Sequence, residues 1–176
     1  MSTFISGGCK NGKSFYAQRI AKESGTPLYY IATMIPHDCE DDARILRHQQ
    51  ERDGWGFETL ECGMDILSCL DKADANGSFL LDSVTALLSN EMFALDGIHM
   101  EAHIKVAEEL EEFVRRAPNT VLVSDYIYSD AMIYDELSEA YRRALAYVDK
   151  RLAKCCDNVI EVVNSQIILH KGELPL

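Results

Sequence analysis

The chain has 176 residues, of which 47% are apolar, and this length allows one substantial hydrophobic core, so we expect a single domain over residues 1–176. The net charge of −12 at pH 7 argues against a nucleic-acid partner, because phosphate backbones are bound through clustered lysine and arginine. No apolar stretch is long enough to span a membrane and the first residues lack a secretory signal pattern, so we expect a cytoplasmic protein without a membrane span.

The first predicted element is a phosphate-binding loop between a strand and a helix. Residues 7–14 read GGCKNGKS and fit the pattern G-x-x-x-x-G-K-[ST]. Residues 3–6 form a β-favouring run, and residues 13–23 carry apolar side chains at helical spacing, so the glycines lie where a strand turns into a helix. The residues expected to bind phosphate are Gly7, Gly8, Cys9, Lys10, Asn11, Gly12, Lys13 and Ser14.

Each fixed residue type in this loop has a chemical reason. Gly7 and Gly12 allow backbone angles and close approaches that a Cβ would block. Lys13 supplies a positive charge for the β- and γ-phosphates of a nucleotide, and Ser14 can bind Mg²⁺. The N-terminus of the following helix adds unpaired N–H groups and a partial positive charge. The alternative is an ordinary glycine-rich turn between strand and helix.

The rest of the chain alternates strand and helix patterns. Short apolar runs, typical of strands buried on both faces, occupy residues 28–32, 79–81, 120–123 and 159–163. Predicted helices lie near residues 13–23, 39–52, 64–72, 83–93, 100–116 and 135–156. This alternation predicts a three-layer α/β fold of the P-loop NTPase type, with a mostly parallel sheet and the nucleotide at the carboxyl ends of its strands. Residues 166–170, after a turn at 164–165, predict a hairpin at one edge of the sheet.

The predicted helix 39–52 carries a cluster of basic residues. Arg44, His48 and Arg52 recur every four residues and therefore lie on one helix face. Neighbouring guanidinium groups favour the neutral, nucleophilic form of an imidazole and can hold phosphate oxygens in a transition state. The solvated face of a surface helix has the same pattern, and the spacing leaves both interpretations open.

Asp82 follows the buried run 79–81 directly. In phosphate-loop sites, an acid at a strand end commonly works with the serine or threonine of the loop to hold Mg²⁺, so we expect Asp82 and Ser14 to form the metal site. The alternative is that Asp82 caps the helix that starts near Val84, since aspartate is a favoured capping residue.

Three segments carry motifs that occur together in one enzyme family. Residues 7–14 are similar to its GGxxxGKS loop, and residues 30–33 (YIAT) are similar to its YIAT strand. Residues 41–48 (DDARILRH) resemble its [DE]xxxRIxxH helix. Together the segments resemble the bifunctional adenosylcobinamide kinase / adenosylcobinamide-phosphate guanylyltransferases of cobalamin assembly, and the resemblance extends over nearly the whole chain.

The resemblance implies two reactions. Enzymes of this family phosphorylate the aminopropanol hydroxyl of adenosylcobinamide, and then transfer GMP from GTP to that phosphate through a guanylylated histidine. It implies that His48 is the nucleophile, that Lys13 serves the phosphates, and that GTP, ATP, Mg²⁺ and cobinamide are the small molecules bound. The nucleotide-binding residues expected outside the loop are Thr33, Arg44, Gln49, Arg52, Glu61 and Asp82. Family members form rings of three, so the resemblance also implies a homotrimer.

Residues 124–134 depart from the family pattern. They read SDYIYSDAMIY, where the family has glycines and a proline. We interpret the three tyrosines of this segment as an aromatic loop that packs on the sheet rather than as a platform for the corrin ring. Two other functions stay open: a P-loop kinase that acts on another small alcohol, and a GTP- or ATP-binding protein without catalytic activity.

Overall fold

A seven-stranded sheet forms the centre of the computed structural model, which describes residues 1–36, 46, 50 and 52–174. The strands are β1 (Thr3–Gly7), β2 (Leu28–Ala32), β3 (Phe57–Glu61), β4 (Ser78–Asp82), β5 (Phe93–Ala94), β6 (Gly97–Ile98), β7 (Thr120–Asp125), β8 (Asn158–Val163) and β9 (Gln166–Lys171). The order in the sheet is β3-β2-β4-β7-β1-β8-β9, while β5 and β6 form a separate ribbon. Within the seven-stranded sheet, neighbouring strands are parallel except for the β8–β9 pair, which is the predicted antiparallel hairpin at the edge.

Helices cover both faces of this sheet. They are α1 (Lys13–Glu23), α2 (Val84–Met92), α3 (Ala102–Arg116), α4 (Glu136–Cys155) and a 3-10 helix (Ile66–Asp71). One hydrophobic cluster joins α1 to the sheet, and a larger one joins α2, α3 and α4 to the opposite face. Successive residues of β1 show the alternation, because Phe4 belongs to the larger cluster and Ile5 to the smaller one. The three-layer α/β fold predicted from the sequence is therefore confirmed.

Two local predictions need correction, and one lies outside the described residues. The segment 64–72, predicted as a helix, contains only the 3-10 helix Ile66–Asp71. Asp65 has a φ of 49°, so the helix cannot extend toward the N-terminus beyond Ile66. The edge strand Phe57–Glu61 was missed, since only one edge of it pairs and its outer residues are polar. The predicted helix 39–52 falls almost entirely outside the described residues.

No helix in the described part of the chain is both long and apolar enough to cross a membrane.

The carboxylate of Asp149 lies in the interior between α4 and β7. Its exposed fraction is 4%, and its Oδ2 accepts hydrogen bonds from the hydroxyls of Ser124 (3.1 Å) and Tyr128 (2.8 Å). Its Oδ1 has no hydrogen-bond partner within the described residues. Burial raises the pKa of Asp149 to about 7; the two hydroxyls lower this pKa in part, and the nearby Asp125 raises it. The interior therefore favours the protonated form of this side chain.

Replacing Asp149 by asparagine is expected to change how stability depends on pH. The folded wild type keeps a proton on Asp149 that the unfolded chain releases above about pH 4. The contribution of this side chain to the free energy of unfolding therefore falls from about pH 4 to about pH 7 and is constant above that. Asp149→Asn should gain stability relative to the wild type by roughly 1 kcal/mol per pH unit across this window. Urea unfolding of both proteins at several pH values measures the difference, and parallel pH profiles would contradict it.

Candidate functional site

The phosphate loop, residues 7–14, joins β1 to α1 at the carboxyl edge of the sheet. A Cβ on Gly7 would lie 2.5 Å from the carbonyl oxygen of Val162 in β8, so a larger residue does not fit there. Gly12, directly before α1, has a φ of 89°, which is left-handed geometry that favours glycine. Both glycines thus meet the requirements predicted from the sequence, and the unpaired N–H groups at the start of α1 lie next to the loop.

Lys13 is the first residue of α1, and its side chain folds back over the loop. Its Nζ donates to the carbonyl oxygen of Gly8 at 2.8 Å and to Oδ1 of Asp125 at 2.6 Å. Only 6% of Lys13 is exposed. The ammonium group therefore lies within the loop, with a carboxylate as its ion-pair partner. A phosphate group that enters the loop competes with Asp125 for this cation.

Ser14 and Asp82 come together from α1 and β4. The Oγ of Ser14 donates to Oδ2 of Asp82 at 3.0 Å. Helix α2 is capped by Ser83, whose hydroxyl accepts a hydrogen bond from the N–H of Ala86, so the alternative that Asp82 caps this helix is wrong. One hydroxyl and one carboxylate oxygen are hard ligands of the type that Mg²⁺ prefers, and the pair therefore fits this ion.

Thr33 is buried and contacts Ser83, the residue after Asp82. Its Oγ1 donates to the carbonyl oxygen of Ser83 and accepts from the N–H of Ser83, both at 2.8 Å. The side-chain amide of Asn90 donates to the carbonyl oxygens of Thr33 (2.7 Å) and Gly63 (2.9 Å). Thr33 therefore fixes the backbone next to Asp82, and its hydroxyl is already engaged within the protein.

Glu61 lies at the other end of the site. It is the exposed last residue of β3 and pairs in register with Ala32 of β2. Strands β2, β4 and β7 separate β3 from β1. At about 4.8 Å per strand, Glu61 is about 19 Å from the phosphate loop across the carboxyl edge.

The remaining predicted residues belong to the segment 39–52, for which the sequence predicts a basic helix. Arg52 is buried, and its guanidinium carbon lies 3.5 Å from the ring centroid of Tyr30 in β2, which packs in the cluster on the α1 face. Arg44, His48 and Gln49 lie outside the described residues, and their roles stay predictions.

Asp125 contacts Lys13, although reasoning from the sequence missed it. It ends β7, pairs in register with Gly7, and donates its N–H to Oγ1 of Thr85 at 2.9 Å. The sequence feature that could have indicated Asp125 is its position shortly after the predicted strand 120–123, which is similar to the position of Asp82 after the strand 79–81. The order of elements along the chain did not indicate that β7 lies between β4 and β1.

An open cleft of about 300 Å³ lies beside the first turns of α4. Its lining residues are Phe93, Ile127, Tyr134, Leu137, Ser138, Tyr141 and Arg142. Arg142 orders one wall, because its Nη2 pairs with Asp130 at 2.9 Å, its Nε donates to the carbonyl oxygen of Ile127 at 3.0 Å, and its guanidinium carbon is 4.4 Å from the ring centroid of Tyr134. Tyr128 packs against the larger hydrophobic cluster, as the interpretation of residues 124–134 predicts, whereas Tyr134 is exposed and packs on Arg142 of α4.

Solved structures with the same fold include a protein of Pyrococcus horikoshii OT3 and a RadB recombinase. The first has a TM-score of 0.56 at 9% identity and covers 97% of this chain and 86% of its own. The second has a TM-score of 0.50 at 15% identity and covers 99% of this chain and 82% of its own. At these identities the matches show the fold alone, a mostly parallel α/β sheet with helices on both faces.

Curated relatives share more of the sequence. The bifunctional adenosylcobalamin biosynthesis protein CobP of Pseudomonas aeruginosa is 30% identical over 175 residues, which are 98% of this chain and 99% of that protein. The bifunctional adenosylcobalamin biosynthesis protein CobU of Salmonella typhimurium is 30% identical over 179 aligned positions, which cover 93% of this chain and 96% of that protein. A family model described as cobinamide kinase / cobinamide phosphate guanyltransferase matches residues 3–168. The chain therefore belongs to the cobinamide kinase / cobinamide phosphate guanyltransferase family, and the matched residues include the phosphate loop and the Ser14–Asp82 pair.

Proposed function

We propose that this protein phosphorylates the aminopropanol hydroxyl of adenosylcobinamide and then transfers GMP from GTP to the resulting phosphate. Membership of the family supports both halves of this proposal. The observation that carries it is the geometry of the phosphate loop, in which Lys13 lies over the backbone and Ser14 contacts Asp82. A strand-end carboxylate beside the loop serine is the arrangement that nucleoside triphosphate sites use.

In the kinase half, the loop and the start of α1 bind and orient the triphosphate. Backbone N–H groups of residues 8–14 surround the β- and γ-phosphates, and Lys13 exchanges Asp125 for phosphate oxygens. Ser14 and Asp82 would hold Mg²⁺, which neutralises charge on the phosphates when it is bound. Positioning and charge stabilisation supply most of the catalysis in phosphoryl transfer, so the loop is the main catalytic device of this half.

In the guanylyl-transfer half, the proposed nucleophile is His48. Its neutral imidazole attacks the α-phosphorus of GTP, a nitrogen–phosphorus bond forms, and pyrophosphate leaves. A phosphate oxygen of adenosylcobinamide phosphate then attacks the same phosphorus, and the histidine is released. Arg44, Gln49 and Arg52 of the same segment would hold phosphate oxygens, and the Glu61 carboxylate can accept hydrogen bonds from the N–H groups of guanine.

Replacing Lys13 by alanine is expected to weaken nucleotide binding. Hydrogen bonds between an ammonium group and phosphate contribute about 1.5–3 kcal/mol, so the Kd for ATP or GTP with Mg²⁺ should rise roughly 10- to 100-fold. Titration of a fluorescent nucleotide measures this change. Lys22→Ala is the matched control, because Lys22 is exposed at the far end of the same helix. Equal affinity of Lys13→Ala and Lys22→Ala for both nucleotides would contradict the loop assignment.

A histidine-bound guanylyl group is expected on the wild-type protein. Incubation with GTP labelled at the α-phosphate should leave label on the protein as a phosphoramidate, which acid releases and alkali does not. His48→Ala should lose this label, because the nucleophilic nitrogen is removed. His99→Ala is the control, since His99 pairs with Asp96 on the exposed β5–β6 ribbon and should keep the label. An unlabelled wild type, or label retained in His48→Ala, would refute this half of the proposal.

Product analysis with cobinamide separates the proposal from its alternatives. A phosphorylated and then guanylylated cobinamide supports it. Phosphoryl transfer to another small alcohol but not to cobinamide would indicate a different kinase, and tight GTP binding without transfer would indicate a binding protein.

A further inference from the structure

Asp125 stands out among the acidic residues near the phosphate loop. It is the last residue of β7 and lies directly beside Gly7, the first residue of the loop. Its side chain is partly exposed, at 32%, and its Oδ1 is 2.6 Å from the Nζ of Lys13. Its backbone is fixed by Thr85, so the carboxylate is held at the position where the end of the triphosphate is expected.

Nucleotide binding changes what this carboxylate can do. Lys13 is its ion-pair partner in the present structure, and the phosphates of a bound nucleotide attract the same ammonium group more strongly because they carry more charge. Once Lys13 turns to the phosphates, Asp125 is left beside them without that partner. Within the described residues, Asp149 and Tyr141 of α4 are also close enough to interact with its charge, and neither is a cation.

The cleft beside α4 is connected to Asp125 through Thr85. Tyr141 lines the cleft, and its hydroxyl donates to the carbonyl oxygen of Thr85 at 2.7 Å. The hydroxyl of Thr85 also accepts a hydrogen bond from the backbone N–H of Asp125. Thr85 therefore contacts both the cleft wall, through Tyr141, and the backbone of Asp125, and we expect the acceptor alcohol to approach Asp125 and the loop from this side.

We propose that Asp125 is a catalytic residue of the phosphoryl-transfer half, where it accepts the proton of the attacking alcohol. The inference rests on the proposed kinase function and concerns the same site. In the step, the alcohol oxygen forms a bond to the γ-phosphorus, the bond from that phosphorus to the bridging oxygen breaks, and the nucleoside diphosphate leaves. The hydroxyl proton moves to a carboxylate oxygen of Asp125.

The variant Asp125→Asn tests this role, because it keeps the shape of the side chain and removes its ability to accept the proton. The kcat for phosphoryl transfer from ATP to cobinamide should fall roughly 10²- to 10⁴-fold. The KM for ATP and the Kd for nucleotide should stay within about threefold of the wild type or decrease, since the competitor for Lys13 has lost its charge. Asp96→Asn is the matched control: Asp96 lies on the exposed ribbon, and this variant should keep the wild-type kcat.

Four outcomes separate the possibilities. A lower kcat with unchanged nucleotide affinity supports the proton-acceptor role. Phosphoryl transfer by Asp125→Asn at near the wild-type rate overturns it. A loss of nucleotide affinity as large as the loss of kcat also overturns it, because Asp125 then only positions Lys13. A wild type that transfers no phosphoryl group to cobinamide contradicts the proposed function itself, and with it this role.

Discussion

The ion pair between Lys13 and Asp125 joins the phosphate loop to the strand beside it, and it determines how the site is built. It forms because β1 and β7 are parallel neighbours whose carboxyl ends meet at one edge of the sheet. The next strand, β4, ends at Asp82, which reaches Ser14 one residue further along α1. A single helix start is thus connected to carboxylates from two adjacent strands, and both side chains of the loop are positioned before any ligand is bound.

Much of the fold could be predicted from the sequence because its strands are buried on both faces. The runs around Ile31, Leu80, Leu122 and Ile160 are nearly continuous in apolar residues, and all four are core residues. The edge strand β3 has no such run, because one of its edges faces away from the sheet. The apolar spacing also could not indicate the 3-10 helix, because this helix depends on hydrogen bonds to distant residues. The N–H of Asp65 donates to Glu91, and the N–H of Ile66 donates to Glu109.

Site residues that belong to one contiguous motif could be predicted from the sequence. Residues that reach the site only because of the order of strands in the sheet could not. The glycines, Lys13 and Ser14 follow from a contiguous loop, and Asp82 follows from a strand that ends in an acid. Asp125 has a similar local signal, but its importance depends on β7 lying between β4 and β1, which no local pattern reveals. The buried contacts of Thr33 with Ser83 and of Arg52 with Tyr30 likewise depend on the tertiary structure, and no motif indicates them.

The exchange of Lys13 between a carboxylate and a nucleotide is the central claim, and a crystal structure with Mg²⁺ and a non-hydrolysable GTP analogue tests it most directly. We expect the β- and γ-phosphates inside the loop of residues 7–14, with the Nζ of Lys13 on phosphate oxygens and no longer on Asp125. Ser14 and Asp82 should both be at the ion. A saturated crystal in which Lys13 still contacts Asp125, and the nucleotide is bound elsewhere or not at all, would contradict it.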